Sequence, residues 1–233
     1  MVQAVISGDI IASTSINDKG KIKLESVLRS LLDLLRKDFD VYGRIIKGDH
    51  LECYVPDTYH ALRVMLIIKT FIKAIEFSGN EARKSDHRFR YFTEHGIRLA
   101  LGLGELRRID RKKGIIDGEA IYISGRIIEE QKTYNKEKTI IKQTLFIKSV
   151  DVTWNDELET MVALLDALIN KCTAKQCELV YLKLLGNDEL AIAEMLMKSQ
   201  STINQHSTAA GWNAIHKAVK RFEKLLQVKP TNS

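Results

Sequence analysis

Long hydrophobic runs are missing from this 233-residue chain. The longest nearly apolar stretch, Ala61 to Ile68, is already broken by Arg63. Nothing approaches the ~20 residues that a membrane-spanning helix needs, so no membrane partner is expected. Proline is scarce, at 2 residues, and glycine stands at 13, which excludes collagen-like and proline-rich chains. Cysteine is scarce too. Cys53, Cys172 and Cys177 are an odd set without C-x-x-C spacing, which argues for free thiols in a reducing compartment rather than a disulfide framework or zinc site. The 6 histidines are scattered, with no H-x-x-x-H or H-E-x-x-H pattern. No Ser/His/Asp or Cys/His arrangement, internal repeat or low-complexity segment stands out. Met1 to Ile6 has neither a basic region nor a cleavage site, so a secretory signal is not expected and the expected location is cytoplasmic.

What is present is an ordinary globular composition, 45% hydrophobic and 28% charged, which excludes a disordered chain. The length allows one large domain, or a medium and a small one. Residues 1–150 hold 27 basic and 20 acidic residues, whereas 151–233 hold 9 and 10. From Lys198 onward the basic residues (Lys198, Lys217, Lys220, Arg221, Lys224, Lys229) face one acidic residue, Glu223. Such a stretch suits a polyanion or a solvated helix face equally well.

Periodicity places a strand at Gln3–Ser7 and a loop over Gly8–Thr14. An amphipathic helix follows over Lys21–Lys37, with Leu24, Leu28, Leu31, Leu32 and Leu35 on one face. Val41–Lys47 and Leu51–Val55 read as strands joined at Gly48-Asp49. Pro56-Asp57-Thr58 opens a second helix, Ser78–Arg90 reads as a loop, and Ile97–Leu101 as a strand ended by Gly102-Leu103-Gly104. Glu105–Ile109 and Gly114–Ile116 form a hairpin with a basic tip, Arg107 to Lys113, whose ordinary role is solvation. A helix over Ile121–Lys132 and a strand over Thr139–Ile147 complete a β-α-β-β-α-β order. That order predicts an α+β, ferredoxin-like domain with helices on one face of an antiparallel sheet. Helices follow at Asn155–Lys171, Thr173–Leu185 and Leu190–Leu196, then one from Ser201 to Leu226. The expected organisation is a sheet domain (1–150), a connecting helix (151–172) and a helix-turn-helix domain (173–233). Trp154 and Trp212 read as packing anchors.

Asp9 ends the first strand and Asp49 sits at the next hairpin, so in this topology their carboxylates can converge. Two bare carboxylates ~4 Å apart repel by about 4 kcal/mol at an effective dielectric near 20. A hard divalent cation is the usual remedy, and it would suit phosphoryl chemistry. Ile11, Ala12, Ser13 and Thr14 offer backbone N–H groups and hydroxyls to a phosphate. Two turn aspartates making local Asx bonds is the plainer alternative.

The run Ser7-Gly8-Asp9-Ile10-Ile11-Ala12-Ser13-Thr14 resembles the first metal motif of class III nucleotidyl cyclases. Ile46-Lys47-Gly48-Asp49-His50-Leu51 is similar to their second metal hairpin, Ile97–Gly104 to the strand before the next hairpin, and Gly118–Arg126 to their Gly…Asn…Arg helix. The ordered set spans residues 3–147. The resemblance implies metal contacts at Asp9, Ile10 and Asp49, phosphate contacts at Ile11, Ala12, Ser13, Thr14 and Arg126, Mg²⁺ with a nucleotide, and a homodimer whose site takes Asp9 and Asp49 from one copy and Arg126 from the other. The departures are specific: Tyr122 stands at the catalytic asparagine position, and Ile115 and Gly43 at the purine-selecting ones. They argue against an active adenylyl or guanylyl cyclase.

In the C-terminal part, Ala191-Ile192-Ala193-Glu194-Met195-Leu196 turns his inward side through Ile192, Ala193 and Leu196, and Ser199-Gln200-Ser201-Thr202-Ile203-Asn204-Gln205-His206 opens the next helix. Polar residues at that helix start suit a DNA major groove: Gln200, Asn204 and Gln205 toward adenine edges, Lys198, Ser201 and Thr202 toward phosphates, with His206 in the same DNA-binding set. The stretch resembles the DNA-binding helices of sigma-factor region four and LuxR-type proteins. The whole arrangement resembles SatD-like bacterial proteins, with Ala209-Ala210-Gly211-Trp212-Asn213-Ala214-Ile215 in their style. Three readings follow: a DNA-binding regulator with a nucleotide-sensing domain, an enzyme of nucleotide or phosphoryl chemistry whose helical part binds protein, and a structural dimerisation domain.

Overall fold

A computed structural model describes residues 2–46, 48–77, 80–83, 86–131 and 141–227. Strand β1 (Gln3–Ile10) runs through the middle of a five-stranded sheet, and α1 (Asp18–Phe39) follows a short 3₁₀ turn at Ser13–Ser15. The side chain of Asn17 caps α1 by accepting from Gly20 N–H at 3.0 Å, satisfying one of the donors a helix start leaves open. Next come β2 (Tyr42–Ile46), β3 (His50–Val55), α2 (Ala61–Ala74), α3 (Phe89–His95) and β4 (Ile97–Gly104). The ribbon β5 (Leu106–Asp110) and β6 (Ile115–Gly118) is a separate two-stranded sheet, followed by α4 (Glu119–Glu130) and β7 (Leu145–Ser149). The order in the main sheet is β2-β3-β1-β4-β7.

The fold is α+β, as expected, but its main sheet is mixed. β7 pairs parallel to β4, because the chain crosses over through α4 before returning to the sheet edge. Gly8, Asp9 and Ile10, expected in a loop, belong to β1, since both flanks pair: Gly8 with Leu51 and Leu99, Asp9 with His50 and Arg98. Gly102 to Gly104, expected to end a strand, lie inside β4 for a packing reason. A Cβ on Gly102 would collide with the carbonyl of Ala120, so glycine there lets α4 lie directly on the sheet. α3 occupies the end of a segment expected to be loop, of which residues 78, 79, 84 and 85 lie outside the described residues. The last strand of the domain begins at Leu145; the expected start, Thr139-Ile140, lies outside the described residues. Ile46 of β2 pairs with His50 of β3, and Gly48 takes φ +80° in the connection between them; Lys47, the expected end of the first strand, lies outside the described residues.

Ala4, Ile6, Leu51, Cys53, Leu99 and Leu101 fill one face of the sheet, under Leu24, Leu28, Leu31 and Leu35 of α1 and the apolar residues of α2. α2 is buried nearly all round. A helix with apolar residues on every side needs cover on every side. Here the sheet covers one side and α6 (Ala174–Leu184) the other.

The helical part continues with α5 (Asn155–Asn170), which packs on β7, then α6, α7 (Glu189–Met195), α8 (Gln200–Ala209) and α9 (Trp212–Gln227). The expected single helix from Ser201 to Leu226 is two helices, broken at Ala210-Gly211, where Gly211 takes φ +68°. One buried apolar cluster runs from Ala4 to Phe222 across all the segments the sequence separated. Polar ties cross the same junction. Arg63 of α2 donates to Glu223 of α9 at 2.6 and 2.9 Å, and Lys73 Nζ donates to the Asn170 carbonyl at 3.1 Å. Lys69, fully buried, donates to the carbonyls of His95 (2.7 Å) and Ile97 (2.9 Å) and to Thr144 Oγ1 (2.6 Å). Thr144 donates from its hydroxyl and its N–H to Asp166, which Asn170 also reaches. No helix among the described residues is long and apolar enough to cross a membrane.

Candidate functional site

The second face of the sheet is polar toward one end. Side chains alternate along a strand, so Ser7 and Asp9 of β1 share this face with His50 and Glu52 of β3 and Arg98 of β4. Ser7 and Ser124 of α4 exchange a hydrogen bond at 2.8 Å, and Arg44 donates to Glu52 through Nε at 2.8 Å. Arg98 Nη1 lies 3.5 Å from Asp9 Oδ2, with both side chains largely buried. Arg98 therefore compensates the Asp9 charge that the sequence assigned to a metal. Its only sequence signal was a cation inside an otherwise apolar strand, Ile97-Arg98-Leu99.

Asp49 arrives at the same end of the sheet. The Ile10 N–H donates to the Asp49 carbonyl at 3.0 Å, fixing the loop against the end of β1. The Asp49 carboxylate accepts from Ser13 Oγ at 2.7 Å, and the His50 ring nitrogen lies 4.0 Å from its other oxygen. Ser13 is brought there because Ala12 adopts a left-handed conformation, φ 53°, which turns the chain into the 3₁₀ turn. A cleft of about 290 Å³ opens beside this pair, lined by Ser13, Thr14, Lys21, Leu24, Glu25, Gly48 and Asp49.

The other expected contacts fall differently. Ile10 and Ile11 are buried, and the Ile11 N–H is used on the Gly96 carbonyl at 3.0 Å, so it does not offer a phosphate contact. Ala12 lies half-buried and Thr14 exposed at the cleft. On α4 the buried residues are Ala120, Ser124 and Ile128. Arg126 and Tyr122, two residues from Ser124 and so on the opposite side of the helix, are exposed. Tyr122 donates to Asp117, and Arg126 does not join Asp9 and Asp49 within one chain. Among the described residues no three His, Cys, Asp or Glu side chains converge on one point. The carboxylates at the cleft are Asp49, backed by Ser13, and Glu25.

The helical part presents a second surface. The Asp188 carboxylate caps α7 by accepting from Ala191 N–H at 2.8 Å, and Ser199 Oγ caps α8 by accepting from Thr202 N–H at 3.2 Å. Between them the turn passes through Met197, φ 50°. Ile192, Ala193, Ile203 and Ser207 are buried where the two helices meet α6 and each other. Lys198, Gln200, Ser201, Asn204 and Gln205 are exposed, while Thr202 and His206 are half-buried. Thr208 extends the exposed stripe by one turn and was missed in the sequence. Asn204 Nδ2 reaches Glu189 of α7 at 3.4 Å. Lys217, Lys220, Arg221 and Lys224 lie on α9, not α8, while Lys229 lies outside the described residues; part of the charge is matched, Arg221 by Glu157 at 2.9 Å and Lys220 by Glu223 at 2.8 Å. Trp154 and Trp212 both pack against the core.

No protein-family model and no curated protein matches the chain. Among solved structures, one described as a bacterial light-regulated adenylyl cyclase aligns with a TM-score of 0.40 and 13% identity, over 62% of this chain and 74% of that one.

Proposed function

We propose that this chain is a cytoplasmic DNA-binding regulator whose sheet domain responds to a nucleotide. The observation that carries the reading is the exposed polar stripe on α8, with Gln200, Ser201, Asn204 and Gln205 outward, Ile203 and Ser207 buried beneath, and Ser199 capping the helix start. Amide side chains on a firmly seated helix suit adenine edges, while Lys198 and the Ser201 and Thr202 hydroxyls suit phosphates. The resemblance to sigma-factor, LuxR-type and SatD-like sequences supports the same reading.

In the sheet domain the ligand is a nucleotide that brings Mg²⁺ with its phosphates. Asp49 is then the side chain that meets the ion, and Ser13 and Thr14 the hydroxyls that meet the phosphate. Arg126 stands on the outer side of α4 and reaches the same ligand only from a second copy, so the proposal includes a homodimer. Two copies would set two α8 helices on half-sites ~34–36 Å apart. The nucleotide would regulate DNA binding only through unequal affinity for the two dimer arrangements.

The test is selection of genomic DNA fragments at ~0.15 M salt, where purely electrostatic binding is weakened. Wild type is run beside Asn204→Ala/Gln205→Ala and Asp49→Ala, with and without ATP and Mg²⁺. Enrichment lost in the first variant supports the reading, and a nucleotide effect lost in the second supports the sensor. Absence of enrichment under every condition refutes it.

A second reading draws on the apolar residues around α7. Leu190, Met195 and Met197 are 59%, 56% and 90% exposed. An apolar surface of that kind suits protein contact, which would make the chain an enzyme of nucleotide or phosphoryl chemistry at Asp9 and Asp49 with a protein-binding helical part. Nucleoside triphosphate turnover abolished by Asp49→Ala would favour it.

A further inference from the structure

Between α5 and α6 the chain turns through Lys171, Cys172 and Thr173. Thr173 opens α6 with a reciprocal cap: its hydroxyl accepts from Gln176 N–H at 3.3 Å, and Gln176 Oε1 accepts from Thr173 N–H at 2.9 Å. Such a cap fixes the angle at which the chain enters a helix, and it sets the residue before the cap against the fourth helical residue. Two hydrophobic side chains often meet at those positions. Here the pair is Cys172 and Cys177.

The two thiols hydrogen-bond each other. Cys172 Sγ also faces the Leu168 carbonyl at 3.5 Å and the Ala210 carbonyl at 3.9 Å, beneath the turn from α8 into α9. From α2, Lys73 brings its ammonium near both sulfurs, held by the carbonyls of Glu94 (2.5 Å) and Asn170 (3.1 Å). The pair is unequal. Cys172 is 7% exposed, whereas Cys177 is fully buried. The hydrogen bond from Cys177 holds the Cys172 thiol below its usual range, against burial and with help from Lys73. The same bond, and then burial, push the Cys177 thiol up. The sulfur that ionises first is therefore also the one that touches solvent. A thiolate beside a protonated partner is the arrangement of a peroxide-reactive cysteine and its resolving cysteine. Cys53, by contrast, is buried on β3 within the sheet.

We infer that Cys172 and Cys177 form an oxidation site, which a peroxide closes into a reversible disulfide. The Cys172 thiolate attacks one peroxide oxygen. An S–O bond forms, the O–O bond breaks, and the departing hydroxide takes up a proton and leaves as water. The Cys177 sulfur, giving up its proton, then attacks the Cys172 sulfur. The S–S bond forms, the S–O bond breaks, and a second water leaves. Two electrons thus pass from the sulfurs to the peroxide. Two molecules of a small thiol, themselves joined into a disulfide, return the pair to its reduced state. Cys172 lies in a turn rather than inside a helix, so its side chain can close the gap to the ~2.05 Å of an S–S bond. A transient disulfide of this kind is the type that a reducing compartment permits.

The test treats the folded, reduced full-length chain with hydrogen peroxide near neutral pH, then denatures it and alkylates the thiols that remain. The chain should lose two of its 3 alkylation sites, together with the mass of two hydrogens. Trypsin should then release the peptide Cys172 to Lys175 joined to the peptide Gln176 to Lys183, and a reductant should part them. Cys177→Ser should stop the reaction at a Cys172 sulfenic acid, which dimedone captures. Cys172→Ser should leave Cys177 open to alkylation, and Cys53→Ser should leave the disulfide unchanged. Where a serine variant folds poorly, the peptide map of the unsubstituted chain decides the matter. Retention of all 3 thiols, a crosslink through Cys53 or between two chains, or oxidation of both cysteines to sulfinic acids without a crosslink would each overturn the inference.

Discussion

Thr144 is the hinge-point of the buried polar cluster, and Thr144→Val tests what that cluster contributes. The hydroxyl accepts from Lys69 at 2.6 Å and donates to Asp166, while Thr144, Lys69 and Asp166 are all buried. Valine keeps the shape and the backbone N–H bond to Asp166 but removes the hydroxyl bonds to Lys69 and Asp166 and the one Asn170 Nδ2 donates at 3.2 Å. The first two involve charged partners and contribute about 1.5–3 kcal/mol each, so about 3–4 kcal/mol should be lost once the network relaxes. Against a typical total of about 5–15 kcal/mol that is a large fraction. Urea denaturation followed by tryptophan fluorescence, at about pH 6, should show the midpoint falling by roughly 1.5–2 M. Thr153→Val removes an exposed hydroxyl bond to Asp151 and should change stability by no more than about 0.5 kcal/mol. A loss below about 1 kcal/mol in Thr144→Val would refute the claim that this network holds the β4–β7 edge against α5.

The same cluster predicts a pH dependence. Burial pulls the Lys69 ammonium down from 10.5 to about 7, with Asp166 opposing the shift. Between those values the unfolded chain binds the proton and the folded chain does not, so this group's contribution to stability rises with pH. From about pH 7 to about pH 9.5, wild type should gain on Lys69→Met by up to about 3 kcal/mol; a constant difference in urea titrations would count against it. Arg63→Ala leaves buried Glu223 with Lys220 alone and should cost about 3 kcal/mol, read as a lowered melting temperature. Gly102→Ala drives a methyl group into the Ala120 carbonyl of α4 and should cost about 2 kcal/mol or more; a variant as stable as wild type in thermal melts would contradict the close approach.

Much of the fold was legible because local rules and tertiary structure agreed. The leucines of α1 recur at helical spacing and are buried as a row, and the order of strands and helices led to the sheet domain. Two of the errors share one cause. Gly8 and Gly102 look like punctuation in a sequence, yet in the structure they are places where a neighbour comes too close for a side chain. The break at Gly211 was hidden because the apolar spacing continues past it, with Ile203 before and Ile215 after.

The candidate sites divide in the same way. Composition and periodicity were enough for an α+β domain followed by helices, for the nearness of Asp9 and Asp49 at one sheet end, and for an outward polar stripe after Ser199. These are determined by residues close in sequence or by strand order. Only the tertiary structure decided that Arg98 compensates Asp9, that Ser13 holds Asp49, and that Arg126 faces away from both. It alone decided that the helical part is welded to α2 rather than carried on a linker, through Arg63 and Glu223, 160 positions apart. Such pairings leave no trace in spacing, because a charge is matched by whichever partner the packing of apolar faces brings beside it, and that packing is set by the whole chain.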